Sequence, residues 1–224
     1  MIVSVVQVKG GVGKSVIASN LAAGLSQGSV AMLDSDVLQS SYAWSQTRKQ
    51  TNAGPLANSP VPEIPCFPTL NATEFQQIGE EIEKQYTNII IDAGGFDSDL
   101  GRMAMRAADV IILPTSPDSV DLRGVQYTLD AISETCTDVP LTVVIGNRFD
   151  RPRDIRRFYE KFAPTLRTAK VARTYLRSLR EYPRAYNAGL SAREYDKHST
   201  AALRFLKLYS ELNDLRRKDR NNVI

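Results

Sequence analysis

The sequence predicts an α/β fold with a doubly wound, mainly parallel sheet flanked by helices. Short apolar runs alternate with amphipathic stretches along the chain, which is βαβ repetition. Several runs are continuously apolar, such as "NIIID" at 88–92 and "VIILP" at 110–114, as is typical of parallel strands buried on both faces. With 224 residues, 42% of them apolar, the chain can form one sizeable core, so we expect a single domain over residues 1–224.

The individual elements follow from the same patterns. Strands are predicted at 2–8, 29–34, 63–67, 88–92, 110–114, 141–147 and 169–174. Helices are predicted at 15–27, 72–85, 100–107, 122–135 and 155–163. The stretch 52–68 is dense in Pro, Gly and Asn, which indicates a surface connection. Near the C-terminus, apolar residues at helical spacing predict a last helix that packs on the domain: Leu203, Phe205, Leu206, Leu212 and Leu215.

Two classes of protein are disfavoured by composition. No apolar run approaches the ~20 residues of a membrane span, and the N-terminus lacks the pattern of a signal peptide, so we expect a cytoplasmic protein. Cys66 and Cys136 have neither CxxC nor Cys/His spacing, which disfavours a disulfide framework or a zinc site. We expect both cysteines to be small core or half-buried residues.

The stretch "QVKGGVGKSV", residues 7–16, lies where a predicted strand gives way to a predicted helix. In that context the backbone N–H groups of a glycine-rich turn and the helix dipole favour a bound triphosphate. Lys14 would reach the β- and γ-phosphates, and the Ser15 hydroxyl would ligate Mg²⁺. The other residues predicted to contact the nucleotide are Gly10, Gly11, Val12, Gly13 and Val16. The strict P-loop pattern has a glycine where Val8 stands, and a glycine-rich turn without a ligand is the alternative.

A second lysine in this stretch indicates a subfamily. "KGGVGKS" resembles the deviant Walker A motif of the ParA/MinD family of ATPases, in which a signature lysine precedes the double glycine. The resemblance implies that Lys9 is catalytic and reaches the phosphates bound by a partner in an ATP-sandwich homodimer. A cation supplied in this way would stabilise the charge on the transferred phosphoryl group.

Two further stretches are similar to switch segments of that family. "LDSDVLQSSYAW" resembles switch I, usually DxDPQ, and the resemblance implies that Asp36 polarises the attacking water and lies near Mg²⁺. Val37 and Leu38 replace the usual Pro and Gln. "NIIIDAGGFDSD" looks like the Walker B strand and switch II, so that Asp92 would hold Mg²⁺ through a water. An apolar strand that ends in a capping Asp is the alternative for Asp92.

Later stretches continue the resemblance over nearly the whole chain. "VVIGNRFD" places Asn147 at the end of an apolar strand, where its amide can pair with adenine or can merely end the strand. "YPRAYNAGLSAREY" is similar to a late segment of the family, to which we assign a mainly structural role.

The charge of the chain is unevenly distributed. The net charge is +3, but residues 148–184 contain 12 Lys or Arg against 4 Asp or Glu, which leaves 16 against 21 elsewhere. This asymmetry favours a polyanionic partner, with solvated helix faces as the alternative. Similarity to ParA-type members implies non-specific DNA binding by the ATP-bound dimer, nucleoid association and a ParB-like adaptor protein. The tail after Leu215 lacks the bulky apolar residues of a membrane anchor, so we expect no membrane partner.

These observations lead us to expect a Mg²⁺-dependent ParA-type ATPase that acts in plasmid or chromosome partition. Because the chain starts at its first predicted strand, we expect no preceding helix-turn-helix domain and no sequence-specific operator binding. Positioning of a protein cargo, such as a carboxysome or a chemoreceptor cluster, and conjugative transfer remain alternatives with the same chemistry. A metabolic synthetase such as dethiobiotin synthetase is the alternative of a different class. A relative of nitrogenase iron protein is disfavoured because Cys136 is the only cysteine after switch II.

Overall fold

The computed structural model describes residues 1–26, 28–94 and 98–221. Within them, seven strands form one sheet, and all of its pairings are parallel. The strands are β1 (Ile2–Val5), β2 (Val30–Ser35), β3 (Cys66–Pro68), β4 (Asn88–Ala93), β5 (Val110–Thr115), β6 (Leu141–Gly146) and β7 (Lys170–Val171). Their order across the sheet is β3-β2-β4-β1-β5-β6-β7. The predicted doubly wound parallel sheet is therefore confirmed.

Helices connect the strands. They are α1 (Lys14–Leu25), α2 (Ser40–Ala53), α3 (Ala72–Gln85), α4 (Asp99–Ala107), α5 (Ser119–Thr135), α6 (Pro152–Arg157), α7 (Glu181–Asn187), α8 (Ala192–Tyr195) and α9 (Thr200–Asn221). A π-helical turn (Phe158–Phe162) and a 3₁₀ turn (Ala163–Thr165) follow α6. The end of the first predicted helix, at residue 27, and residues 95–97 of the predicted switch II lie outside the described residues.

The core lies on both faces of the sheet because successive strand residues point to opposite sides. In β4, Ile90 packs with α1, α2, α7 and α9, whereas Ile89 and Ile91 pack with α3, α4 and α5. This two-sided burial explains why the strands are continuously apolar in the sequence. Cys66 and Cys136 are buried free thiols, as predicted for core residues.

Several elements differ from the predictions. Strand β1 ends at Val5 instead of residue 8, β3 covers 66–68 instead of 63–67, and α7 and α8 were not predicted. Helix α2 was not predicted, because its stretch contains five Ser or Thr residues and only a few apolar ones. Strand β7 covers two residues instead of the predicted 169–174, since the N–H groups of Arg173 and Thr174 donate to the Glu211 carboxylate of α9 and not to a strand. The helix predicted at 155–163 is α6 followed by the π-helical turn.

Helix α9 packs on the domain as predicted, but not with every leucine of its apolar stripe. Phe205 and Leu208 are buried in the core, and Leu212 and Leu215 pack against it half-buried, whereas Leu203 is exposed. Leu206 is exposed as well. None of the helices in the described part of the chain is long and apolar enough to cross a membrane.

Candidate functional site

The glycine-rich loop follows β1, the strand at which the sheet order changes direction. In doubly wound sheets, ligands bind beyond the carboxyl ends of the strands at such a point. Gly11 and Gly13 have φ values of +77° and +94°, which residues with a Cβ rarely adopt. A Cβ added at Gly10 or Gly11 would meet nothing within 4 Å, so the space beside these two residues is open. Helix α1 begins at Lys14 without a side-chain cap, so its first N–H groups are available to a ligand.

Two buried carboxylates lie side by side next to this loop. Asp34 of β2 is in register with Asp92 of β4, and both side chains are fully buried. Asp34 accepts hydrogen bonds from the N–H groups of Asp36 (3.0 Å) and Tyr42 (2.9 Å). The hydroxyl of Ser41, at the start of α2, donates to Asp92 Oδ2 at 2.6 Å. These bonds fasten the beginning of α2 to the carboxyl ends of two neighbouring strands.

The environment of Asp92 disfavours its charged form. Burial, and then the negative charge of Asp34, raise the pKa of Asp92 from 3.8 to about 7. The hydroxyls of Ser41 and Ser15 and the ammonium of Lys14 act in the opposite direction. Burial likewise raises the pKa of Asp34. A carboxylate in this state gains from a nearby cation.

The residues at this point fit Mg²⁺. Asp92 Oδ1 is buried and has no hydrogen-bond partner within the described structure, while Oδ2 is oriented by Ser41. A buried acceptor without a partner costs ~1–3 kcal/mol, and a hydrated cation would remove that cost. The hydroxyl of Ser15 faces the same carboxylate from the first turn of α1. The described residues contain no cluster of three or more His, Cys, Asp or Glu that could hold a metal. Mg²⁺ here would therefore be held with few protein ligands, as it is when it binds together with a nucleotide.

Asp36 lies in the loop between β2 and α2. Its Oδ1 accepts the N–H of Leu38 at 2.9 Å, which shapes the turn. Gln39 follows in a left-handed conformation with φ of +48°. Val37 and Leu38, which replace the usual Pro and Gln, are 87% and 83% exposed. The loop thus carries two large apolar side chains at the edge of the candidate site.

Lys9 lies on the other side of the loop from Asp92. It is half-buried and lines a polar cleft of about 400 Å³. The remaining lining residues come from the loop itself and from the segments after β5 and β6: Gly10, Gly11, Ser116, Pro117, Asp118, Arg148, Asp150, Arg151 and Asp154.

An apolar pocket of about 350 Å³ opens beside Gly13. Its walls come from α1, the residues after β6, the segment 176–180 and the start of α7, with Phe205 of α9. Asn147 lines this pocket, and an adenine contact by its amide stays a prediction. Tyr182 lines the pocket too, and its buried hydroxyl has no hydrogen-bond partner among the described residues.

A buried ion pair joins α2 to α8. The Arg48 guanidinium is 1% exposed and donates to both carboxylate oxygens of Glu194, at 2.9 and 2.5 Å. It also donates to the carbonyls of Gly189 and Pro62. Burial alone would raise the pKa of Glu194, but the hydrogen bonds and charge of Arg48, together with hydrogen bonds from Ser191, outweigh it and hold that pKa below its usual value. The late segment that we assigned a structural role therefore braces the helix that follows Asp36.

Every Lys and Arg of the basic segment 148–184 is exposed. We call this set the basic surface: Arg148, Arg151, Arg153, Arg156, Arg157, Lys161, Arg167, Lys170, Arg173, Arg177, Arg180 and Arg184. The segment surrounds β7, the edge strand of the sheet. Among the described residues, two members have a carboxylate within 4.0 Å, namely Arg153 and Arg177.

Sequence reasoning missed three residues that shape the site. Ser41 and Arg48 lie on the unpredicted helix α2, so nothing in the sequence placed them near Asp92 or Glu194. Gln7 is fully buried and accepts the N–H of Val8, which fixes the start of the loop. A large polar residue near the end of the mostly apolar predicted strand 2–8 was the one available signal for Gln7.

The fold and the loop together define a P-loop nucleotide-binding protein of the α/β class. The family described as the CobQ/CobB/MinD/ParA nucleotide binding domain matches residues 3–192, and the chain belongs to this family. A sequence comparison with curated proteins finds no match.

Solved structures share the fold at low sequence identity. The MinD cell division protein of Aquifex aeolicus superposes with a TM-score of 0.73 at 17% identity, covering 95% of this chain and 96% of that one. A ParA family ATPase of Chlorobium tepidum TLS gives 0.72 at 18% identity, with coverages of 94% and 98%. The septum site-determining protein MinD of Pyrococcus horikoshii OT3, complexed with Mg-ADP, gives 0.65 at 18% identity and covers 96% of both chains.

Proposed function

We propose that this chain is a ParA-type Mg²⁺-dependent ATPase that acts in plasmid or chromosome partition. ATP forms a sandwich dimer of two protomers, the dimer binds DNA without sequence preference, and hydrolysis stimulated by a ParB-like adaptor releases it. The observation that carries the ATPase part is the open P-loop beside Asp92, whose Oδ1 is buried without a hydrogen-bond partner in the described structure. A nucleotide with its Mg²⁺ is the ligand that this pair of features fits.

The residues predicted to bind the phosphates and the metal each have a part in this proposal. Lys14 and the N–H groups of the loop bind the phosphates, while Ser15 and Asp92 hold Mg²⁺. When bound, Mg²⁺ neutralises charge on the phosphate oxygens. Asp36 orients the attacking water, and Lys9 reaches the phosphates of the partner protomer. The apolar pocket beside Gly13 takes the adenine base.

The roles of Lys9 and Lys14 can be distinguished by substituting each residue separately. Lys14→Ala should abolish ATP binding, because this residue is part of the loop that holds the phosphates. Lys9→Ala should leave ATP binding by the monomer largely intact and prevent dimerisation, measured by light scattering with ATP and Mg²⁺. Equal dimerisation of the wild type and Lys9→Ala would refute the role in trans.

The basic surface supports the DNA-binding part. Twelve exposed cations in 37 consecutive residues, opposed by 4 acidic residues, form a local excess of positive charge. Each phosphate that such a residue neutralises releases counterions and makes binding salt-dependent. The relation between ATP and DNA binding rests on the resemblance to ParA-type proteins.

The test is DNA binding without nucleotide, with ADP and with ATP plus Mg²⁺, over a salt series and on two unrelated sequences. Tight binding only with ATP, equal on both sequences, is the expected result. Arg156→Glu with Arg157→Glu in α6 should weaken binding and reduce the slope of log K against log salt by about 2 if both residues contact phosphates. Arg102→Glu with Lys84→Glu, exposed on α4 and α3, is the matched control.

Two other results of these experiments would favour an alternative function. An ATP-dependent dimer that binds no DNA in any state would refute the partition role and favour positioning of a protein cargo by other contacts. Turnover of a small carboxylate or amine substrate without DNA or adaptor would favour a synthetase.

A further inference from the structure

Asn147 is fastened to the glycine-rich loop. It follows β6 directly and is 8% exposed. Its Nδ2 donates to the Val12 carbonyl at 2.7 Å, and its Oδ1 accepts the N–H of Arg148 at 3.0 Å. Val12 lies between Gly11 and Gly13, so this bond joins the end of β6 to the centre of the loop.

Close packing accompanies this hydrogen bond. A Cβ at Gly13 would overlap with Asn147 Nδ2, so the position requires glycine for space as well as for its positive φ. The loop therefore rests against the Asn147 amide and has little room to approach it further.

A second buried amide holds the other end of the loop. Gln7 Oε1 accepts the N–H of Val8 at 2.8 Å and the Thr128 hydroxyl at 3.1 Å, while Nε2 donates to the Pro114 carbonyl at 3.3 Å. The loop is thus anchored before its first glycine by Gln7 and between its last two glycines by Asn147.

We propose that Asn147 is a positioning residue that holds the glycine-rich loop in its phosphate-binding shape. This inference rests on the proposed nucleotide site and concerns how that site is formed. An amide has two N–H groups and two acceptor lone pairs, and one of each is already engaged with the protein. Asn147 therefore affects how tightly the loop binds the phosphates, and this effect does not depend on which base the nucleotide carries. A residue that reads adenine would instead change the preference among bases.

The test compares three ligands: ATP, GTP and inorganic tripolyphosphate, each with Mg²⁺, by calorimetry. A loop that has lost this neutral hydrogen bond must be ordered by the ligand, which weakens binding by up to about tenfold. Asn147→Ala should therefore weaken the binding of all three ligands by a similar factor, up to about ten, and leave the ratio of ATP to GTP affinity unchanged. Asn147→Asp keeps the acceptor for Arg148 but cannot donate to Val12, so it should lose at least as much. Asn187→Ala, an exposed Asn at the end of α7, is the matched control.

A second measurement does not depend on a ligand. Amide hydrogen exchange of residues 8–17 in the ligand-free protein should accelerate in Asn147→Ala, with circular dichroism and exchange elsewhere unchanged. Loss confined to ATP, a changed ATP-to-GTP ratio, or wild-type exchange of the loop in Asn147→Ala would overturn the proposal. A wild-type protein that binds none of the three ligands, with the loop still loosened in Asn147→Ala, would refute the proposed function but not the bracing of the loop.

Discussion

Replacement of Asp92 by Asn should change how the stability of the ligand-free protein depends on pH. Asp92 is fully buried beside Asp34, and its pKa is raised from 3.8 to about 7. Asn has nearly the same shape and can still accept the hydrogen bond from Ser41, but it carries no charge. The variant therefore isolates the effect of ionising this one carboxylate.

The direction and size of the change in the free energy of unfolding follow from the raised pKa of Asp92. Below about pH 4 the carboxyl is protonated in both the folded and the unfolded chain and contributes nothing. Between pH 4 and pH 7 the unfolded chain releases the proton while the folded chain keeps it, so stability falls by ~1.4 kcal/mol per pH unit. Above pH 7 the full difference is present, roughly 4 kcal/mol from the rise of about 3 in pKa. Asp92→Asn should remove this fall.

The assay is urea unfolding of the wild type and Asp92→Asn at about pH 5 and about pH 8, without nucleotide or Mg²⁺. The free-energy difference between the two proteins should shift in favour of the variant by about 3 kcal/mol from the lower to the higher pH. Asp138→Asn, at an exposed carboxylate after α5, is the control and should show no such shift. Parallel pH profiles of the wild type and Asp92→Asn would refute the reasoning that burial keeps Asp92 protonated near neutrality.

Three further predictions concern the supports of the site. Gly189→Ala should destabilise the protein by more than about 3 kcal/mol in urea unfolding, because φ is +67° and a Cβ would overlap with the backbone of α2 at Arg48; a loss below about 1 kcal/mol would contradict the close approach. Glu194→Gln should cost roughly 3–5 kcal/mol because it leaves the Arg48 charge buried without its partner. Since the pKa of Glu194 is lowered in the folded protein, its contribution is present above its usual pKa of 4.5 and is lost as the pH falls through the folded value, so wild-type and Glu194→Gln stabilities should converge in acid. Ser41→Ala should raise the Mg²⁺ concentration needed for nucleotide binding about tenfold, since Asp92 Oδ2 loses its hydrogen bond; an unchanged Mg²⁺ midpoint would assign the orientation of Asp92 to other groups.

The sequence predicted the elements whose signals are local. Apolar runs identified every strand of the sheet, and Gly11, Gly13 and Lys14 identified the loop because their spacing has a direct physical reason. What it did not predict depends on contacts between distant parts of the chain. Helix α2 is held by the Arg48–Glu194 pair, 146 residues apart in sequence, and by the bond from Ser41 to Asp92. No periodicity within α2 could have shown that these partners exist.

The site combines a rigid loop with carboxylates that are unfavourable without a ligand. Gln7 and Asn147 anchor the loop through buried side-chain amides, which would limit the ordering that a ligand has to impose. Asp34 and Asp92, in contrast, disfavour their own ionisation until a cation is near. A bound metal should therefore stabilise the fold as well as complete the site, because whatever binds only the folded chain shifts the folding equilibrium. Since α2 is fastened to Asp92 through Ser41, a cation that changes this carboxylate acts directly on the start of the helix that follows Asp36. Through this connection, a cation bound at Asp92 would shift the loop that carries Val37 and Leu38.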